Sequence, residues 1–155
     1  SKVKNLSFTH CVEASDDDLE KIKDLGASIN HCVTSNRLLN NTKLDLDRLK
    51  DIPFTIGTDG LSSNNSLSMF DELRNALMAH YDKNVVEFSK TLLKAATFNG
   101  SRALGLNKGV LKESFDADMI SFKLPNKVED INDICMQIIL HTKFVDDVII
   151  GGEYV

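Results

Sequence analysis

The sequence predicts a parallel α/β fold on three observations. Over the first hundred residues, short apolar runs alternate with stretches whose apolar residues recur at helical spacing, in the order strand, helix, strand, helix, strand. Capping chemistry marks the boundaries between them. Each apolar run also ends in a titratable residue, namely His10, His31 and Asp59. In parallel α/β sheets the carboxyl ends of strands are where sites are built, because loops converge there over a rigid sheet.

The first strand is expected over 6–11. Ser15-Asp16-Asp17-Asp18 then reads as a capping box and predicts a helix over 16–25, with Leu19, Ile22 and Leu25 on one face and Gly26 as its stop. A second strand is expected over 27–33, followed by a loop over 34–42. The Leu44, Leu46 and Leu49 stripe predicts a second helix ending before Pro53, and 54–58 supplies the third strand. A third helix is expected to start near Ser66 and to bury Met69, Phe70, Leu73, Leu77 and Met78. A fourth spans 85–98, stopped by Asn99-Gly100, with a short helical turn over 101–104. Beyond Gly105 the texture changes to short strands over 109–111 and 118–122, a helix over 129–141 and a hairpin over 145–155.

Composition limits what such a fold can serve. The 155 residues, 42% hydrophobic and 26% charged, suffice for one buried core. A net charge of −5 without a Lys/Arg-rich block argues against a nucleic-acid polymer or an anionic membrane as partner and leaves small-molecule substrates open. Cys11, Cys32 and Cys135 form no CxxC pair, which fits reduced thiols in a cytoplasmic protein. No apolar run reaches membrane-spanning length.

Thr58-Asp59-Gly60 is the most informative segment. It closes an apolar run and opens into the small, polar Leu61-Ser62-Ser63-Asn64-Asn65-Ser66, so one carboxylate is delivered to a strand end with room beside it for a ligand. His10 is the expected companion at the first strand end. His31 reads as a hydrogen-bonded structural histidine, and His80 and His141 as solvated or capping residues.

The runs Thr9-His10-Cys11-Val12, His31-Cys32-Val33-Thr34-Ser35-Asn36, Gly57-Thr58-Asp59-Gly60 and 63–74, with 96–105 and the Val148-Ile149-Ile150-Gly151-Gly152 end, resemble in order the C-terminal half of the amidohydrolase superfamily. The branch is the metal-dependent one that holds the adenosine-type, guanine and aminodeoxyfutalosine deaminases together with the chlorohydrolases. The resemblance implies strands six to eight of a (β/α)₈ TIM barrel over residues 1–104, and over 105–155 part of a small β-sandwich domain with an intervening helix. It implies that Asp59 is a metal ligand and a proton acceptor, that His10 is catalytic, and that Ser35 and Asn36 border the pocket as substrate contacts or as loop braces. The implied cofactor is one divalent metal, zinc or iron, whose bound water is acidified enough to attack a ring carbon at neutral pH.

The reaction so implied is hydrolytic deamination of an aminated purine nucleoside or base, such as 6-amino-6-deoxyfutalosine. Chlorohydrolase-type hydrolysis at the same site, and a non-catalytic truncated barrel serving as a binding or assembly module, are the alternatives. The family's His-x-His pair and its strand-five ligands have no counterpart in this sequence, so the chain by itself is expected to be inactive. The expected partner is the N-terminal half of the same polypeptide or a companion chain, and a homo-oligomer is compatible. A barrel piece of this length is expected to leave sheet edges and an apolar interior uncovered.

Overall fold

The computed structural model describes residues 3–40 and 42–155; residues 1 and 2, and residue 41 within the expected 34–42 loop, lie outside the described residues. Strands β1 (Ser7–Thr9), β2 (Ser28–His31) and β3 (Phe54–Ile56) form a parallel sheet in the order β1-β2-β3. Helix α1 (Asp16–Asp24) links the first two. Its capping box is formed: the Ser15 hydroxyl accepts from the Asp18 amide and the Asp18 carboxylate accepts from the Ser15 amide, while Gly26 closes the helix at φ 63°.

Register decides what each face of the sheet carries. Phe8 pairs with Ile29 and Ile29 with Phe54, so the three form one row. That row packs with Leu19, Ile22, Leu44, Leu49 and Ile52. The adjoining row, Thr9, Asn30 and Thr55, faces the other way with Ser7 and Ser28. The expectation of an uncovered apolar interior is therefore corrected, because that face carries hydroxyls and an amide. The Thr55 hydroxyl donates to Asn30 Oδ1 at 2.9 Å, and the Asn30 amide lies so close over Gly57 that a Cβ there would meet it at 2.6 Å.

Several elements differ from expectation. The segment expected as a loop is helix α2 (Val33–Asn40), because Thr34, Ser35 and Asn36 send their side chains to partners elsewhere and leave the backbone free to turn. The Leu44 to Leu49 stripe is core, with both ends 2% exposed, but a single 3₁₀ turn at Leu46–Arg48, capped by Asp45, suffices to bury it. Asn99-Gly100 does not stop the fourth helix. Helix α4 (Val85–Lys94) runs through a π turn, Ala95–Asn99, into α5 (Gly100–Ala103), since Gly100 keeps helical angles and the Asn99 amide donates instead to the Phe54 carbonyl of β3 at 2.9 Å. No strand forms over 109–111, where the positive φ of Gly109 turns the chain.

Helix α3 (Met69–Ala79) is rotated from its expected stripe: Glu72, Leu73, Ala76 and Leu77 are buried, while Met69 and Met78 are exposed. Its core joins Val33 of α2, Ile56 of β3, Phe88 and Leu92 of α4, and Ile139 of helix α6 (Ile134–His141). Arg74 of α3 caps that last helix by donating to the carbonyls of Ile139 and Thr142 at 3.0 and 2.8 Å. A second sheet of β4 (Met119–Ser121), β5 (Asp147–Ile150) and β6 (Glu153–Tyr154) is antiparallel, its last hairpin turned at Gly151-Gly152, both at positive φ. Among the described residues no helix is long and apolar enough to cross a membrane.

Candidate functional site

His10 and Asp59 meet at the carboxyl end of the parallel sheet. Each sits just past its strand in the left-handed region, at φ 69° and 60°, with Cys11 at φ 52° behind the first. Non-glycine residues held there cost free energy and collect at functional sites. The His10 amide still donates to the Asn30 carbonyl at 3.0 Å, which keeps the residue registered on β2 as the chain turns away. The outcome is His10 Nε2 at 3.7 Å from Asp59 Oδ2, with both side chains about a third exposed.

Two adjacent residues of α2 orient the pair. Asn36, 1% exposed, places Oδ1 at 2.7 Å from His10 Nδ1. Because that oxygen only accepts, Nδ1 is the nitrogen that donates to it, and Nε2 is turned toward Asp59. Ser35, fully buried, donates its hydroxyl to Asp59 Oδ2 at 2.7 Å. The Ser63 hydroxyl donates to the same oxygen at 2.9 Å, and the Gly60 amide to Oδ1 at 2.9 Å. These donors, Ser35 first and then Ser63 and Gly60, favour the charged form and hold the Asp59 carboxyl below the usual carboxylate range.

The donor set suits a cation. An imidazole nitrogen and a carboxylate oxygen face one another at 3.7 Å, and both are groups that can hold a divalent metal ion. It is incomplete, since no group of three or more His, Cys, Asp or Glu residues that could hold a metal occurs among the described residues. Cys32 adds nothing as a ligand or nucleophile: burial, then the charges of Asp59 and Glu72, pushes its thiol up to about 12.

His31 and His80 form a separate, sealed pair with Nε2 atoms 3.0 Å apart. His31 is structural, as expected. Of the two roles expected for His80, capping holds and solvation does not: it is the C-cap of α3, its amide donating to the Ala76 carbonyl, and it is 2% exposed, packed edge-on to His31 and Phe88. Burial above all, and then the neighbouring imidazoles in one case and Lys43 in the other, pulls the two pKa values down to about 3 and about 4.

Sequence reasoning missed Thr34, Ser63, Asn64 and Glu72. Glu72 carried a signal, since it lies within the turn that buries Leu73 and Ala76, where a lone carboxylate needs a reason.

The chain is 43% identical to the aminodeoxyfutalosine deaminase of Nitratiruptor sp. over 94% of its own length and 36% of the relative's. Its structure superposes on that of Helicobacter pylori aminofutalosine deaminase with a TM-score of 0.90 at 36% identity, over 97% of this chain and 38% of the other. A TM-score of 0.80 at 28% identity relates it to a zinc-bound adenosine deaminase from Xanthomonas campestris, over 96% of this chain and 36% of that one. The chain thus spans little more than a third of the relatives it matches. Residues 2–155 match the amidohydrolase family, and the chain belongs to it.

Proposed function

We propose that this chain is the C-terminal part of a metal-dependent hydrolase that deaminates an aminated purine nucleoside or base, with 6-amino-6-deoxyfutalosine as the leading substrate. The observation that carries the reading is the 3.7 Å approach of His10 to Asp59 across the end of β2, from the two outer strands of the parallel sheet. The identity to an aminodeoxyfutalosine deaminase supports the substrate class. In this reading residues 1–104 supply strands six to eight of a TIM barrel, and residues 105–155 part of a small β-sandwich domain. Other metal ligands come from the N-terminal half of the same polypeptide or from a companion chain, and the enzyme works in the cytoplasm.

Asp59 and His10 would hold or border one divalent cation, zinc first and iron second. Such a cation acidifies water and steadies negative charge that develops on the substrate. Asp59 takes a proton from the attacking water at its carboxylate, and His10 Nε2 accepts a hydrogen bond from the same water, fixing its approach. Ser35 and Asn36 hold the two groups in place rather than touching substrate. The carbon–nitrogen bond breaks, one proton of the water leaves with the amine as ammonia, the other ends on the adjoining ring nitrogen, and a carbonyl remains on the ring.

The test is ammonia release by the complete polypeptide from a panel of adenine-containing compounds, before and after chelation and after zinc is restored. Release that chelation stops and zinc restores supports the reading. Chloride release from chlorinated triazines without ammonia release would transfer the same site to chlorohydrolase chemistry. A metal-free protein inactive on every compound would favour a non-catalytic module.

A further inference from the structure

We infer that Glu72 is a positioning residue for the site, a buried carboxylate that clamps the α2 N-terminus to the loop carrying Asp59. The inference rests on the proposed function above.

Glu72 is 1% exposed and takes no part in any ion pair among the described residues. Burying a carboxylate without a cation is costly, and α3 would pack at least as well with an apolar residue there. What the carboxylate gains is donors from two segments far apart in sequence. Oε1 accepts the Thr34 amide at 3.0 Å, and Oε2 accepts the Thr34 hydroxyl at 2.6 Å and the Asn64 amide at 3.1 Å. The Asn64 amide nitrogen also donates to the Thr58 carbonyl at 2.6 Å, immediately before Asp59. Asn75, one turn further along α3, donates to the Thr34 hydroxyl at 2.8 Å and fixes its direction.

Both segments carry what orients the site. Thr34 is followed by Ser35, which holds Asp59 Oδ2, and by Asn36, which holds His10 Nδ1. Asn64 follows Ser63, the second hydroxyl on Asp59 Oδ2. The three bonds at Glu72 therefore set the distance between the helix that braces both functional side chains and the loop that presents one of them. Free amides at a helix N-terminus also favour a negative charge, so the carboxylate holds α2 more firmly than a neutral acceptor would.

Glu72→Gln keeps shape and volume but removes the charge and turns one acceptor into a donor facing donors. In the complete, zinc-loaded protein we expect a fall of 10-fold to 100-fold in zinc affinity, read by chelator competition, in the range typical of groups that orient metal ligands. kcat should fall by a similar factor, with KM within about twofold of wild type. Ser89→Ala is the control: Ser89 is also fully buried, its hydroxyl donates only to the Val85 carbonyl of its own helix, and its removal should lower the unfolding midpoint without moving zinc affinity. Should Glu72→Gln not fold, Thr34→Val, which removes the hydroxyl's bonds to Glu72 and Asn75 and keeps the bond from the Thr34 amide, is read the same way with a smaller factor. Wild-type zinc affinity and kcat in the variant that folds would overturn the clamp. Asp59→Asn, measured alongside, separates the failures: if it too leaves zinc affinity unchanged, the site assignment itself is wrong, whereas if it abolishes binding and the Glu72 variant does not, only the clamp falls.

Discussion

Two histidine-containing pairs lie one strand apart at the same end of the parallel sheet and have opposite properties. His10 and Asp59 stand about a third exposed, whereas His31 and His80 are sealed, 0% and 2% exposed. Strand alternation separates them. His31 is still within β2 and shares the face of Ile29, which the helices cover. His10 is one residue past β1, where a left-handed turn releases its side chain from that alternation, and Asp59 is released in the same way beyond β3. The lesson is that a histidine at a strand end becomes chemistry or core according to whether the backbone has left the strand before the side chain is placed.

The largest effect should come from breaking the open pair at its carboxylate. Asp59→Asn in the complete polypeptide keeps the shape but replaces the charge with an amide, and it should lower kcat/KM by about 10⁴-fold or more, since the proposed cation holding and proton acceptance would both be lost. Its thermal unfolding should remain cooperative, because Asp59 is bonded to hydroxyls and an amide at the mouth rather than packed in either core. A variant with normal turnover would remove Asp59 from the mechanism. His10→Ala comes next, with an expected loss of about 10²-fold to 10³-fold in kcat, within the range of a positioned acid–base group. Metal content should change less than in the Asp59 variant, which elemental analysis of the two proteins would check.

The open pair was legible in the sequence and its supports were not. Thr58-Asp59-Gly60 and His10 stand at the ends of local apolar runs, and local pattern is what a sequence displays. Ser35 and Asn36 were visible only as pocket neighbours, because the segment that holds them reads as a loop until their partners are known. Glu72 meets Thr34 across 38 residues of sequence, and no periodicity encodes that distance. The same limit applies to the second helix: Leu44 and Leu49 announce a buried stripe correctly, but burial by one 3₁₀ turn and burial by a full helix leave the same pattern over six residues.

The sealed pair should reveal itself through pH. Burial holds both imidazoles well below 6.5, at about 3 and about 4, so the unfolded chain takes up protons that the folded chain refuses. Stability is therefore greatest above pH 6.5 and falls as the pH drops toward 4, with each histidine removing up to about 2 kcal/mol by pH 5. Urea unfolding of the complete protein at pH 7.5 and pH 5 measures the slope. A flat profile across that interval would mean that the two rings titrate normally and are not sealed.

The smallest effect tests whether the sealed pair is only core. Replacing His80 alone by Leu strands His31 Nε2 in the interior, where its Nδ1 already lacks a partner among the described residues, and should cost about 1–3 kcal/mol at pH 7.5. Replacing both, as His31→Leu with His80→Phe, removes every stranded group and adds an aromatic ring beside Phe88, so stability at pH 7.5 should lie within about 1 kcal/mol of wild type and the acid slope should flatten. Turnover of the double variant should stay within a few-fold of wild type, because neither ring bonds to His10 or Asp59. If turnover instead fell as far as in His10→Ala, the division into an open pair that does the chemistry and a sealed pair that fills the core would fail. The unfavourable effect of the His10 charge on protonated His31 would then be the first coupling to pursue.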